Sequence, residues 1–367
     1  MSKLESVQKW TAEQGADFTY ISNPKTIEYL TGFFSDPVER VLALVVFADQ
    51  EPFMFAPALE VEVIKGTGFN HPVYGYLDHE NPWQMIADQV KKRVANPRRV
   101  ALDKSYLSVA REEALQTVMP AAQFDLDVTS FIDQLRLFKS ADEIAKLDAA
   151  GREADFAFEQ GFAAVKPGVT EMSIAAKLEY ALKMRGVSNM SFDTLVQAGA
   201  HAANPHGDTS EIKVQNNQLV LFDLGTIHDG YISDASRTVA VGKPTDKELD
   251  IYNVCLEAQL KAMDAAKPGI TAEELDAVAR DVIEKAGYGK YFIHRLGHGM
   301  GMSEHEFPSI MEGNQMELQP GMCFSIEPGI YIPNVAGVRI EDCVHVTENG
   351  AEPFTHTSKE LTYVDKD

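Results

Sequence analysis

The sequence predicts an α+β protein in two parts, a smaller α/β domain over residues 1–130 and a larger, internally repeated domain over residues 131–367. Three observations carry that expectation. Helix-like and strand-like runs alternate through the first part. From Ser140 onward, two units of about one hundred residues repeat the same series of helix caps, a histidine-bearing segment and a β-hairpin. Each hairpin carries a pair of carboxylates, Asp223 with Asp234 and Glu327 with Glu341, and His298 lies between the pairs in a Gly-His-Gly-Met-Gly run.

In the first part the alternating runs are residues 4–13, 18–21, 41–47, 52–55, 82–94 and 99–102. No His, Asp and Glu cluster at ligand spacing there, so this domain is expected to shape, gate or assemble rather than catalyse. Residues 32–40, GFFSDPVER, form an aromatic and charged loop that either lies over a site, with Asp36 as a substrate contact, or is ordinary surface.

The repeat then takes over. Ser140 and Thr245 each stand three residues before a glutamate, Glu143 and Glu248, the pattern in which cap and glutamate satisfy each other's free helix N–H groups. Both helices should stop at a Lys-Pro-Gly, residues 166–168 and 267–269. Thr170 and Thr271 then cap second helices that end near Gly186 and Gly287. A histidine segment follows in each unit, NPHG around His206 and SEHEFP around His305. Packed about a pseudo-two-fold axis, the units would set their hairpins side by side.

Parity decides what the hairpins present. Residues 219–226 and 232–241 are strand-like, and a two-residue turn at Asp229-Gly230 pairs Asp223 with Ser236 and Asp234 with Gly225. Both aspartates then share a face as diagonal neighbours, whereas eleven residues apart on one straight strand they would point to opposite sides. Residues 322–332 and 338–346 make the second hairpin, and centring it on Asn334 brings Glu327 opposite Glu341. Carboxylates crowded this way need a counter-charge, for which divalent metal is the obvious source.

With 33 basic against 55 acidic residues the formal charge is −22, which argues against nucleic acid or an anionic membrane as partner. Cys255, Cys323 and Cys343 are too scattered for a disulfide framework, and a reducing cytoplasm is expected. Cys343 should share a strand face with Glu341, as a thiolate ligand or as a small buried residue, and the apolar role fits better. No run approaches eighteen consecutive apolar residues, and the first fifteen read as an amphipathic helix rather than a signal peptide.

Carboxylate oxygens with one imidazole suit manganese, cobalt or zinc rather than a structural zinc finger. Two such ions about 3.5–4 Å apart can bind a hydroxide between them and polarise a carbonyl, which is hydrolytic chemistry. His206 and His305 could donate to a substrate carbonyl or carboxylate. Arg339, on the strand face of Glu341, could bind a carboxylate or neutralise the ligands.

The ordered set NPHG, FDLG-x7-SDASRT, GHGMGMSEHEFP, SIEPGIYI and GVRIEDC resembles the pita-bread metallopeptidase family, which includes methionine aminopeptidase, aminopeptidase P and prolidase. The amino-terminal domain resembles the creatinase-type branch, and the whole is most similar to bacterial Xaa-Pro dipeptidases of lactic-acid-bacterium type. The resemblance implies two divalent ions per subunit, Asp223 on one, Asp234 and Glu341 bridging, and His298 and Glu327 on the other. It makes Glu327 a proton shuttle, and His206, His305 and Arg339 substrate and transition-state residues. It implies cleavage of Xaa-Pro dipeptides by a metal-activated water in a homodimer; the alternatives are aminopeptidase P action on longer peptides and a noncatalytic binding protein. For the substrate, Arg295, Asp36, Tyr231 and Ser309 are the remaining candidates, with Arg295 or Arg339 to hold the proline carboxylate because Ser309 stands where some relatives place an arginine.

Overall fold

The computed structural model describes residues 2–364. The chain divides into two compact units between Leu135 and Arg136.

The first unit is a six-stranded mixed sheet with helices on both faces. Its strands are β1 (Phe18–Ile21), β2 (Ala43–Phe47), β3 (Phe53–Pro57), β4 (Val73–Tyr76), β5 (Arg99–Leu102) and β6 (Gln123–Asp127), in the order β4-β3-β2-β1-β5-β6. Period-two alternation sorts the side chains into two cores. Val45, Phe47, Phe53 and Phe55 pack on one side with Ile86 and Val90 of α4 (Pro82–Lys91) and Leu115 of α5 (Val109–Val118). Leu44, Val46, Met54 and Ala56 pack on the other with Val7 of α1 (Lys3–Glu13), Ile27 of α2 (Pro24–Thr31) and Ile64 of α3 (Val61–Gly66). Strands buried on both faces read as continuous apolar runs, as these do. The helix α6 (Thr129–Leu137) runs across the division between the units.

The second unit repeats itself. Complete capping boxes open α7 (Ala141–Ala164) at Ser140 and α9 (Asp246–Ala265) at Thr245, and each helix stops just before its Lys-Pro-Gly. Thr170 caps α8 (Glu171–Arg185), Thr271 caps α10 (Ala272–Lys285), and Gly186 and Gly287 follow their ends with positive φ. The resemblance extends to the bridges Thr170–Lys213 and Thr271–Glu317. One four-stranded sheet, order β19-β11-β8-β7, comprises β7 (Leu195–Ala198), β8 (Gln218–Leu224), β11 (Ala235–Val241) and β19 (Thr362–Tyr363). Between β8 and β11 lies the small ribbon of β9 (Ile227–His228) and β10 (Tyr231–Ile232). The other sheet, order β13-β12-β14-β17-β18, comprises β12 (Gly297–Gly299), β13 (Glu306–Ile310), β14 (Cys323–Ile326), β17 (Asp342–Val346) and β18 (Ala351–Pro353), and β15 (Gly329–Ile332) pairs with β16 (Ala336–Arg339) between β14 and β17.

Both hairpins keep the register that parity requires. Asp229 and Gly230 have φ of 46° and 81°, the left-handed pair of a type I′ turn, and Tyr231 pairs with His228. Ser236 pairs with Asp223, so the register on both sides of the gap at 225–226 places Asp234 opposite Gly225. In the second hairpin Gly329 pairs with Arg339 and Ile326 with Asp342, which sets Glu327 opposite Glu341. Each ladder breaks beside its carboxylates, at Gly225-Thr226 and at Glu327-Pro328.

Gly225 permits one of these breaks. A methyl group there would run into the Ser233 carbonyl and the Ser191 hydroxyl, whereas at Gly350 the nearest atom is 3.9 Å away. Gly225→Ala is therefore expected to cost about 2 kcal/mol or more and to lower the thermal midpoint, with Gly350→Ala as the neutral control. Equal midpoints in the two variants would show that the hairpin does not depend on this contact.

Candidate metal centre

Asp223 stands in β8, Asp234 just before β11, Glu327 after β14, Glu341 just before β17 and His298 in the middle of β12. All five line one cavity of about 400 Å³. Asp234, His298 and Glu341 are buried, and each offers a ligand atom within 4.8 Å of the other two. The hairpins meet here directly, through an amide hydrogen bond from Glu341 to the Ser236 carbonyl at 3.0 Å.

The ligand arms are held from behind. The Ser236 hydroxyl lies 2.6 Å from Glu341 Oε2 and 3.1 Å from Asp223 Oδ1, and accepts from Arg339 Nε at 2.8 Å. Ser325 Oγ accepts from the His298 amide and donates to Glu327, both at 3.0 Å. His298 Nδ1 lies 3.1 Å from the Gly299 carbonyl, to which it must donate, and Nε2 faces Glu327 at 3.2 Å and Asp234 at 3.5 Å. That fixes the tautomer a metal-binding histidine needs. Arg339 pairs with Asp223.

Charge is short of balance among the protein groups. Burial, then repulsion from Asp223, pushes the Asp234 carboxyl well above the usual range. Burial, then repulsion from Asp234 and Glu327, does the same to Glu341. Burial opposes the charge on His298, but its hydrogen bond and attraction to Glu327, with Asp234 behind, lift the imidazole to about 9. Burial likewise opposes the charge on Glu327, and its bond to His298 prevails and holds it at about 2. His298 is shared between Glu327 and Asp234, and Arg339 between Asp223 and, at 3.9 Å, Glu341, so two cations face four carboxylates. Oxygen donors crowded at this spacing fit divalent cations.

The remaining candidates fall into two groups. His206, His305, Arg295 and Arg339 line the same cavity, with the His305 ring 4.3 Å from that of His298. Arg295 Nη1 donates to Ser309 Oγ at 3.0 Å, so Ser309 holds Arg295 and is not itself in the cavity wall. Tyr231 is a correction. It is buried away from the cavity, and its hydroxyl donates to Glu143 Oε1 at 2.6 Å, because the turn that aligns the aspartates points this ring at α7. Asp36 belongs to the first unit, where its carboxylate accepts from the Val38 amide at 3.0 Å. Cys343 is buried and outside the ligand group.

Four residues with no part in the sequence reading contribute. Arg339 Nη1 donates to the Tyr331 hydroxyl at 2.9 Å, which in turn is 3.1 Å from His294 Nε2, and His294 Nδ1 is 2.7 Å from the Arg295 carbonyl. Burial keeps the His294 pKa low, so Nδ1–H donates and Nε2 accepts. Tyr331, four residues past Glu327, could have been traced from strand parity; His294 lies in an irregular segment with no such signal. Phe192 adds an apolar wall, and Glu304 is a cavity carboxylate for which no internal hydrogen bond or ion pair is found among the described residues.

Because burial is outweighed by the neighbouring carboxylates, which lift His298 to about 9, its imidazole carries a proton at neutral pH, and metal uptake on Nε2 should expel that proton and tighten as pH rises. Chelated protein titrated with manganese(II) in buffers of different ionisation enthalpy should show buffer-dependent heat, and an affinity that climbs between about pH 6 and pH 8. Heat independent of the buffer would contradict this charge assignment.

Residues 3–138 match the creatinase/prolidase N-terminal domain and residues 145–348 match metallopeptidase family M24. The chain is 58% identical over 362 residues to an Xaa-Pro dipeptidase of Lactobacillus helveticus, covering 98% of each chain. Among solved structures it is similar to a prolidase from Pyrococcus furiosus, with a TM-score of 0.87, 36% identity and coverage of 96% of this chain and 99% of that one. It is also similar to an Xaa-Pro dipeptidase from Bacillus anthracis, with a TM-score of 0.91, 32% identity and coverage of 98% and 99%. An α+β chain with its carboxylates and histidine gathered between two repeated hairpins, behind a creatinase-type amino-terminal domain, belongs to metallopeptidase family M24.

Proposed function

We propose that this chain is a metallo-dipeptidase that hydrolyses Xaa-Pro dipeptides and releases free proline. The observation that carries the reading is the convergence of Asp223, Asp234, His298, Glu327 and Glu341 with His206, His305 and Arg339 in one cavity. The full-length similarity to Xaa-Pro dipeptidases supports the substrate.

Asp223 would hold one ion, Asp234 and Glu341 would be shared, and His298 and Glu327 would hold the other; the carboxylate-rich set suits manganese, with cobalt or zinc as alternatives. Bound there, the ions would supply Lewis acidity toward the scissile carbonyl and an acidified water. Glu327, on the cavity wall beside His298, would take up a proton and pass it on toward the leaving proline nitrogen. His305 and His206 would donate to the carbonyl oxygen as charge develops on it. The proline bond has no N–H and a ring that fixes φ, so the wall needs apolar and ring surfaces more than an amide acceptor, and Phe192 with His294 and His305 provides them. A homodimer in a reducing cytoplasm completes the reading, in keeping with the family resemblance and with three buried free cysteines. No helix among the described residues is long and apolar enough to cross a membrane.

Chelated protein resupplied with manganese, cobalt or zinc should cleave Leu-Pro and spare both Leu-Pro-Gly and Leu-Ala. Preference for the tripeptide would replace the dipeptidase reading with that of an aminopeptidase. Arg295 is the proposed anchor for the proline carboxylate. Arg295→Ala should raise KM for Leu-Pro about tenfold or more with little change in kcat, as expected for loss of a charged hydrogen bond, and should not affect binding of Leu-Pro-amide. An unchanged KM for Leu-Pro would remove Arg295 from that role.

A further inference from the structure

His206 reaches the cavity from a segment with little regular structure. It follows a short 3₁₀ turn, Gly199–Ala203, and lies in an Asn-Pro-His-Gly run between β7 and the chain that leads into β8. The loop as a whole is nonetheless tied down. Glu171, the first residue of α8, is fully buried and touches both ends of it. Glu171 Oε1 accepts from the Ala198 amide at 2.7 Å, and Oε2 accepts from the Ser210 amide at 3.0 Å and the Ser210 hydroxyl at 2.6 Å. His201 Nδ1 lies 3.0 Å from each oxygen, so toward a carboxylate it donates. The amides of Glu171 and Met172 return hydrogen bonds to the carbonyls of Ile212 and Ser210. On the opposite flank the turn presses on β16, where a methyl group at Gly337 would run into the Ala202 carbonyl. The loop is thus held between a helix terminus and the strand that carries Arg339.

We propose that Glu171 is a positioning residue for His206: it closes residues 198–210 into a loop of fixed shape and so sets where the imidazole stands in the cavity. Every group that meets this carboxylate is a donor. Glutamine keeps the shape but turns an NH₂ toward donors, which leaves at least one buried donor facing another. The second repeat contains a parallel arrangement. Asp276 of α10 is buried, accepts from the Leu296 amide at 2.9 Å and binds Arg280, whose Nη2 donates to the His294 carbonyl at 3.0 Å. In both halves a carboxylate on the second helix fixes a segment that delivers a histidine to the cavity.

The inference rests on the hydrolytic reading, and a double-mutant cycle separates the two. Wild type, Glu171→Gln, His206→Ala and the double variant are assayed, manganese-loaded, on whichever of Leu-Pro or Leu-Pro-Gly the wild type cleaves. Failure on Leu-Pro alone then counts against the dipeptidase reading and leaves the cycle intact. Glu171→Gln should lower kcat roughly tenfold or more, and in the His206→Ala background it should cost less than about twofold, since no imidazole remains to be displaced. Amide hydrogen exchange across residues 198–210 should rise in the chelated Glu171→Gln protein. If that variant does not fold, Ser210→Ala, which removes a single bond, takes its place in the cycle. Equal fold-losses in both backgrounds, or full activity of Glu171→Gln, would overturn the proposal.

Discussion

Asp223, Asp234, Glu327 and Glu341 converge on one cavity with only Arg339 and His298 paired to them, and the second unit is organised around that excess of negative charge. A lone buried carboxylate can take up a proton; four in one cavity, faced by one guanidinium and one imidazole, make a donor set that divalent cations can neutralise while every carboxylate stays ionised. The backbone commits to the arrangement before any ion is considered. Type I′ geometry at Asp229-Gly230 and register about Asn334 aim the four side chains at one space, and the ladder breaks at Gly225 and Pro328 give that space room.

Holding like charges together requires scaffolding elsewhere. Behind the ligands, Arg237 is buried and bonds the Ser236 carbonyl at 3.0 Å, the Glu341 carbonyl at 2.5 Å and the Asp342 carboxylate at 2.7 Å. Asp342 also takes Lys359 at 2.7 Å and the Thr355 hydroxyl at 2.6 Å. Removing one partner of a buried pair of this kind costs about 3–5 kcal/mol, because the other charge is stranded. The network therefore ties the first hairpin to the second at the residues that flank Glu341, and precision at the site and cohesion between the repeats come from the same bonds.

What was legible in the sequence was what local rules decide. The capping boxes at Ser140 and Thr245, the stops before Lys-Pro-Gly and the parity of both hairpins depend on spacing within about twenty residues, and the structure has all of them. Asp223 and Ser236 were paired from the turn alone. Contacts that cross between repeats carry no such signal. Nothing in the spacing announces that the Glu341 amide meets the Ser236 carbonyl, or that Tyr331 links Arg339 to His294. Tyr231 fails for a local reason: it stands three positions before Asp234, an odd separation that turns its ring to the other face, and its hydroxyl goes to Glu143.

Charge also bears on why the cavity should favour a dipeptide over a longer peptide. Its carboxylates are Asp223, Asp234, Glu304, Glu327 and Glu341, and its permanent cations are Arg295 and Arg339. Two divalent ions would bring the cavity close to neutrality, with Glu304 and Arg295 the charges not committed to the ligand set. A dipeptide is a zwitterion with an ammonium at one end and a carboxylate at the other, and it can answer both. A longer peptide keeps the ammonium but offers a neutral amide where the carboxylate would stand, which leaves a half-buried guanidinium whose one side-chain hydrogen bond among the described residues is to Ser309. Selectivity of this kind needs no closed wall at the end of the cavity. It follows from the cost of leaving a desolvated charge unmatched.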